Sequence, residues 1–228
     1  MSEVSGAASV YAAPETGADA ALARFILDLR SRGLMDPALL TAFERLPRAE
    51  FLPGQALRHI YAPIALPLPC GEEATDPFTL ARQLVLMDLN PGMSVLEIGT
   101  GSGFLSALMA RLGCKVTSFE RYRTLLKQAE RRFRHLGIGD VRAFLGDGLA
   151  RHDSPETYDR IIVNGAVEAM PNHLFDRLKT GGMALASRHN GKETRLFSWK
   201  RDLSGFPVSV DCGPSRAGAM REGLPTIL

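Results

Sequence analysis

Four short segments of the chain hold the residue types that could do chemistry. In EIGTGSGF, Gly99, Gly101 and Gly103 alternate with Thr100 and Ser102, and Glu97 stands just ahead of them. Glycine lets a backbone turn sharply and approach a ligand, and a helix opening behind such a turn offers unpaired N–H groups. Glu120 ends the apolar run KVTSFE and is followed by Arg121, while Gly146, Asp147 and Gly148 end a further run. An acid at a strand end can accept hydrogen bonds from a ribose diol. Upstream, GEEAT sets Glu72, Glu73 and Thr75 in a loop rich in proline. Carboxylates there could repel an anionic acceptor or take a proton from a neutral one. The implied chemistry is a nucleotide-type cofactor held beside a polar acceptor site.

Rigid elements must bring these segments together. Leu22, Phe25, Ile26 and Leu29 recur at helical steps, and Asp36 followed by Pro37 is a helix start signal for a second helix bearing Leu39, Leu40 and Phe43. The stretch from Ala49 to Pro77 is broken by prolines and reads as mostly irregular. A helix is expected from Pro77 to about Leu89, stopped by Asn90-Pro91-Gly92. Beyond it the period changes. Strands are expected in SVLEI, KVTSFE, VRAFL, YDRIIVNGA and GGMALAS, separated by helices in GFLSALMARLG, RTLLKQAERRFRHLG and PNHLFDRLK. Alternating strands and helices imply a parallel sheet covered on both faces. One or two more strands are expected in TRLFSWKRD and FPVSVD, with an unassigned tail after them.

Composition narrows the function classes. The 228 residues are 45% hydrophobic and 23% charged, with a net charge of +2, which is ordinary for a soluble globular protein. Neither nucleic acid nor a membrane is expected as the main partner, and no apolar run reaches spanning length. The basic run RYRTLLKQAERRFRH carries Leu125, Ala129 and Phe133 on one helical face, so its arginines are expected on the solvated face opposite. Cys70, Cys114 and Cys212 lack metal-ligand spacing, and a reducing, cytoplasmic setting is the simplest account. Three segments are expected: a flexible tail over 1–20, a helical and substrate-loop segment over 21–90, and a cofactor-binding α/β domain over 91–228.

A dinucleotide turn would place its third glycine at position 104, which is Phe104. The spacing E-x-G-x-G-x-G resembles instead the S-adenosyl-L-methionine turn of class I methyltransferases. That likeness implies a Rossmann-like, mainly parallel seven-stranded sheet, with Glu120 on the ribose and Asp147 on the adenine amino group. It leaves Glu97 either to help bind the methionine amino end or to orient the turn. More specifically, the segments MDPALLTAFERLPRAEFLP, ALPLPCG, PGMSVLEIGTGSGFLSALMARLG, YDRIIVNGA and LFDRLKTGG resemble the protein-L-isoaspartate O-methyltransferase family, from about Arg24 to Leu185. The resemblance implies repair of damaged proteins, by methylation of the α-carboxylate of isoaspartyl residues.

The acceptor loop departs from that family's pattern, which usually reads G-Q-T-I-S. Here it is Gly71-Glu72-Glu73-Ala74-Thr75, so only the final hydroxyl survives, as Thr75. In the family that hydroxyl lies beside the reacting carboxylate. A glutamate about 5 Å from a bound carboxylate would cost about 3 kcal/mol at an effective dielectric near 20. Three outcomes follow: both acids face solvent, or one weakens isoaspartyl activity, or the true acceptor is another small molecule or a protein amine or hydroxyl. Arg188 or Lys192 could neutralise the acids, and His189 is a conceivable base. Asn164 resembles the asparagine of amino-methyltransferase sites. Those continue with prolines and an aromatic, however, whereas Gly165-Ala166-Val167 follows here, and Asn164 stands with the cofactor candidates.

Overall fold

The computed structural model describes residues 17–55, 57–152, 154–202 and 207–225. Most of the tail expected over 1–20 lies outside the described residues, and helix α1 (Ala18–Ser31) begins within its last positions. Helix α2 (Pro37–Arg45) starts where Asp36 Oδ1 accepts from Ala38 N at 2.8 Å and Leu39 N at 3.3 Å. The proline-rich stretch contains two single-turn helices, α3 (Arg48–Phe51) and α4 (Leu57–Ile60). It then forms a minimal antiparallel pair, β1 (Leu66–Pro67) with β2 (Glu73–Ala74), around a 3-10 turn at Pro69–Gly71. Helix α5 (Pro77–Met87) follows directly, and Asp88 ends it in the left-handed region at φ 45°.

The α/β part runs β3 (Ser94–Ile98), α6 (Phe104–Arg111), β4 (Lys115–Glu120), α7 (Arg123–His135), β5 (Val141–Leu145), β6 (Tyr158–Val167), α8 (Asn172–Asp176) and β7 (Leu178–His189). Strands β8 (Thr194–Arg201) and β9 (Pro207–Pro214) complete it. Helix α8 is shorter than the sequence pattern suggests, and β7 starts earlier. The reason is that Tyr158 N donates to Arg177 O at 2.8 Å, drawing the chain into the sheet immediately after the helix.

All seven strands from β3 on form one sheet in the order β5-β4-β3-β6-β7-β8-β9. Pairing is parallel from β5 to β7 and antiparallel from β7 to β9. Successive residues of a strand serve opposite faces. Val95, Ile162 and Leu185 join the core shared with α1, α2, α5 and α6, while Leu96, Ile161, Val163, Ala184 and Ala186 join a second core with Leu174 and Trp199. The chain moves outward from β3 through β4 to β5, then returns to β6 on the other side of β3. That reversal leaves a crevice at the carboxyl ends of β3, β4 and β6, where such sheets bind ligands. Among the described residues no helix is long and apolar enough to cross a membrane.

One joint fixes the loop bearing Glu72, Glu73 and Thr75 to this frame. Asp76 Oδ1 accepts from Phe78 N and Thr79 N at 3.0 Å each, and its Oδ2 accepts from Thr79 Oγ1 at 2.6 Å. Asp76→Ala removes these bonds and is expected to lower unfolding free energy by about 1–2 kcal/mol, read by urea denaturation. Asp76→Asn keeps one acceptor oxygen and should lose less than half as much.

Candidate functional site

The glycine turn stands on a buried carboxylate. Glu97, at 0% exposure, accepts from Ser106 Oγ on α6, from Ser118 Oγ on β4 at 2.7 Å and from Asn164 Nδ2 on β6 at 2.8 Å. Thr100 Oγ1 and Ser118 Oγ are 2.6 Å apart, which ties the turn itself into the network. Burial pushes the Glu97 carboxyl up to about 7, against the pull of its three donors. With no exposed surface, Glu97 holds the turn from beneath and does not line the crevice. Gly103 is buried as well: its φ is +87°, and an added Cβ would come within 2.9 Å of the Phe133 ring. Gly101 differs, because at φ +54° a Cβ there would meet only Leu68 Cδ1 at 3.7 Å, on the open side of the turn.

The remaining cofactor candidates converge on one cleft, lined by Gly99, Thr100, Gly101, Ser102, Glu120, Arg121, Gly146, Asp147, Gly148 and Asn164. Glu120 Oε2 accepts from Gly101 N at 2.8 Å and its Oε1 from Tyr122 N at 3.0 Å, and with the Arg121 backbone also donating the carboxylate still keeps acceptor capacity for a ligand. Burial raises its pKa, countered by those backbone donors. Phe119, stacked on His152 with centroids 4.6 Å apart, adds an aromatic wall.

Asn164 Nδ2 donates to Glu97 Oε1 and, at 2.9 Å, to Gly99 O. Two acceptors on one side fix the amide orientation, and Oδ1 is left buried without a partner. Arg121 Nε and Nη1 are likewise buried and unbonded. A diol acceptor, an aromatic wall, an open glycine backbone and an orphaned amide oxygen fit S-adenosyl-L-methionine.

A strap over this cleft could not be read from the sequence. Beyond β9, Ala166 N donates to Gly218 O and Met220 N to Ala166 O, each at 2.7 Å. Gly223 N donates to Asp147 Oδ2 at 2.6 Å, and Arg221 Nη1 lies 3.4 Å from Tyr122 OH. Met220 packs over both the turn and β6: a Cβ on Gly99 would come within 3.2 Å of its Cε, and one on Gly165 within 2.9 Å of its Sδ. The strap also walls a second cleft, which adjoins the first at Glu72, Glu73, Thr75 and Asn164.

That second cleft brings the loop bearing Glu72, Glu73 and Thr75 up to the glycine turn's cleft. Arg48 pins it there, donating through Nε to Ile60 O at 2.9 Å and through Nη2 to Thr75 O at 2.7 Å. Its guanidinium lies 4.8 Å over the Phe104 ring and is lowered by burial to about 10, so it remains charged at neutral pH. Arg48 escaped the sequence reading, although a lone cation in the segment LPRAEFLP was a signal. Gln83 was missed too; it is 5% exposed, lines the second cleft and has an unbonded Oε1.

Arg188 and Lys192 do not meet the acids. Arg188 lies 5.4 Å over the Phe197 ring, Lys192 sits in the β7–β8 turn, and His189 Nδ1 is 3.0 Å from Thr194 Oγ1. The β7–β8 hairpin carries all three away from the clefts. Arg132 of the basic helix is half-buried rather than solvated, donating to Glu50 O at 3.0 Å and Ser102 O at 3.1 Å.

Residues 21–207 match the model of the protein-L-isoaspartate(D-aspartate) O-methyltransferase family. The chain is 42% identical over 164 residues to the protein-L-isoaspartate O-methyltransferase of Azorhizobium caulinodans, covering 72% of this chain and 76% of that one. It is 38% identical over 200 residues to the corresponding enzyme of Caulobacter sp. strain K31, covering 87% and 90%. A solved protein-L-isoaspartate O-methyltransferase superposes with a TM-score of 0.80 at 28% identity, over 89% of this chain and 67% of that one. A Plasmodium falciparum structure in complex with S-adenosyl-L-homocysteine shares the fold, with a TM-score of 0.76 at 16% identity over 88% of this chain and 98% of that one.

The buried Glu97 gives stability a pH dependence of definite sign. Its folded pKa of about 7 lies above the unfolded value of 4.5, so the native state binds the extra proton. Stability from this group is therefore full below the unfolded value and is lost as pH rises through about 7. Urea unfolding should give about 2 kcal/mol more stability at pH 5.5 than at pH 8. In Glu97→Gln that difference should shrink by most of its size.

Proposed function

Because the chain belongs to the protein-L-isoaspartate(D-aspartate) O-methyltransferase family, we propose that its two adjoining clefts hold the two reactants of one methyl transfer. The protein is an S-adenosyl-L-methionine-dependent methyltransferase that esterifies isoaspartyl residues of damaged proteins. When bound, S-adenosyl-L-methionine supplies an electrophilic methyl group on a sulfonium. The observation that carries the division of labour is that Thr75 lines both clefts while Arg48 fixes its carbonyl.

On the cofactor side, Glu120 accepts from the ribose hydroxyls, and the Gly101 backbone lets the methionine portion cross the turn. Asn164 Oδ1, buried and unbonded, accepts from the amino group. Asp147 serves the adenine end together with the strap. These residues belong to the 91–228 segment, whereas 21–90 supplies one wall of the acceptor cleft.

On the acceptor side, the α-carboxylate is ionised at neutral pH, so the transfer needs no general base. With S-adenosyl-L-methionine held in the adjoining cleft, one carboxylate oxygen would take the methyl group as the carbon–sulfur bond breaks, giving a methyl ester and S-adenosyl-L-homocysteine. What the chain must supply is orientation, which can account for several kcal/mol of a barrier. The Thr75 hydroxyl donates to the second carboxylate oxygen, and Arg48 holds Thr75 at a fixed distance from the glycine turn. The strap covers the junction of the two clefts and limits the access of bulk water there.

The test is methyl transfer from labelled S-adenosyl-L-methionine to an isoaspartyl peptide and its aspartyl twin. The expected result is a base-labile ester on the isoaspartyl peptide alone. Thr75→Ala should cut kcat/KM about tenfold to a hundredfold at unchanged cofactor affinity, as expected for loss of one hydrogen bond to a charged group. Glu120→Ala should weaken cofactor binding by about 1–3 kcal/mol in calorimetry. Labelling of both peptides alike, or an unchanged affinity in Glu120→Ala, would overturn these assignments.

A further inference from the structure

The acceptor cleft has walls of opposite chemistry. On the loop and α5 side stand Glu72, Glu73 and Gln83; on the strap side stand Arg216 and Arg221. Among the described residues, nothing donates a hydrogen bond to the Glu72 or Glu73 carboxylate, and neither belongs to an ion pair. Asp76, on the same wall, is different: both its oxygens cap α5.

Gln83 adds an independent observation. Its side chain is 95% hidden, at 5% exposure, and its Oε1 has no donor. A buried polar oxygen calls for a donor, and because Gln83 lines the cleft a bound substrate can supply one. Three acceptor groups on one wall therefore await donors. The negative potential is local, since the whole chain carries a net charge of +2. It also reaches the neighbouring cleft, where burial raises the Glu120 carboxyl and the Glu72 charge adds to that rise.

An isoaspartyl α-carboxylate is itself an anion, and a wall of unpaired carboxylates repels it. The arginines across the cleft offset that repulsion for the carboxylate, but they leave the loop wall unsatisfied. A substrate satisfies both walls if it carries a cation beside the damaged residue. A lysine ammonium has three donors and an arginine guanidinium five, enough to serve both glutamates and the Gln83 oxygen.

Resting on the isoaspartyl activity above, we propose that Glu72, Glu73 and Gln83 form a specificity wall that selects isoaspartyl sites flanked by lysine or arginine. The two glutamates thus change which damaged sites are repaired. An anionic neighbour is disfavoured twice, by the unpaired carboxylates and by the lost donor to Gln83.

Three peptides that differ only in the residue next to isoaspartate (lysine, glutamine or glutamate) test this at saturating cofactor. The kcat/KM for the lysine peptide should exceed that for the glutamate peptide by about thirtyfold or more at low salt, and the ratio should shrink at high salt. In the Glu72→Gln, Glu73→Gln double variant the ratio should fall to about threefold or less, and Glu73→Lys should favour the glutamate peptide. Equal turnover of all three peptides by the intact protein overturns the specificity wall alone. So does a lysine preference that persists undiminished in the double variant. If no isoaspartyl peptide is methylated, the underlying activity falls, and this proposal falls with it.

Discussion

A carboxylate with no access to water sits under the glycine turn, and the geometry of the site depends on it. Burying Glu97 is costly, and the cost is met only because α6, β4 and β6 each supply a donor. The arrangement works in both directions. The three elements stabilise the carboxylate, and the carboxylate fixes the amino end of α6 to the carboxyl-end halves of β4 and β6. Asn164 shows the consequence. Both its amide protons are spent beneath the turn, so its oxygen is forced toward the clefts.

The acceptor side is built by a second buried charge. Arg48 comes from a single-turn helix that could not be stable alone, and its guanidinium links the carbonyls of Ile60 and Thr75 under the cover of Phe104. A loop with several prolines would otherwise have few backbone bonds to hold it. Asp76 then clamps the loop's exit to α5. A rigid turn thus faces a rigid loop across a narrow crevice. For a reaction whose nucleophile is already ionised, placement is what the protein must contribute.

Electrostatics divides the acceptor cleft in a way that total charge conceals. The basic helix α7 spends part of its charge on the chain itself, since Arg132 bonds the carbonyls of Glu50 and Ser102. Glu72 and Glu73 have no such internal use. Their unpaired state is affordable because they stand at a cleft mouth, half-buried and exposed respectively, where solvent screens them until a substrate arrives.

The sequence by itself determined the parallel sheet, the glycine turn, the strand-end acids Glu120 and Asp147, and the loop bearing Thr75. Each is a local matter: hydrophobic period, helix-start residues and glycine spacing operate within about a dozen positions. It also carried the family likeness, because those segments retain their order. Tertiary structure alone decided that Glu97 is sealed beneath the turn, that Arg48 holds Thr75, and that Gly223 reaches Asp147. It also turned Arg188 and Lys192 away from the acids, through the direction of the β7–β8 hairpin. The Thr75 and Asp147 contacts join residues 27 and 76 positions apart, and no local pattern encodes such a distance. They exist because assembling the sheet and packing both its faces bring those atoms together, after which burial requires every polar group either to find a partner or to wait for a ligand.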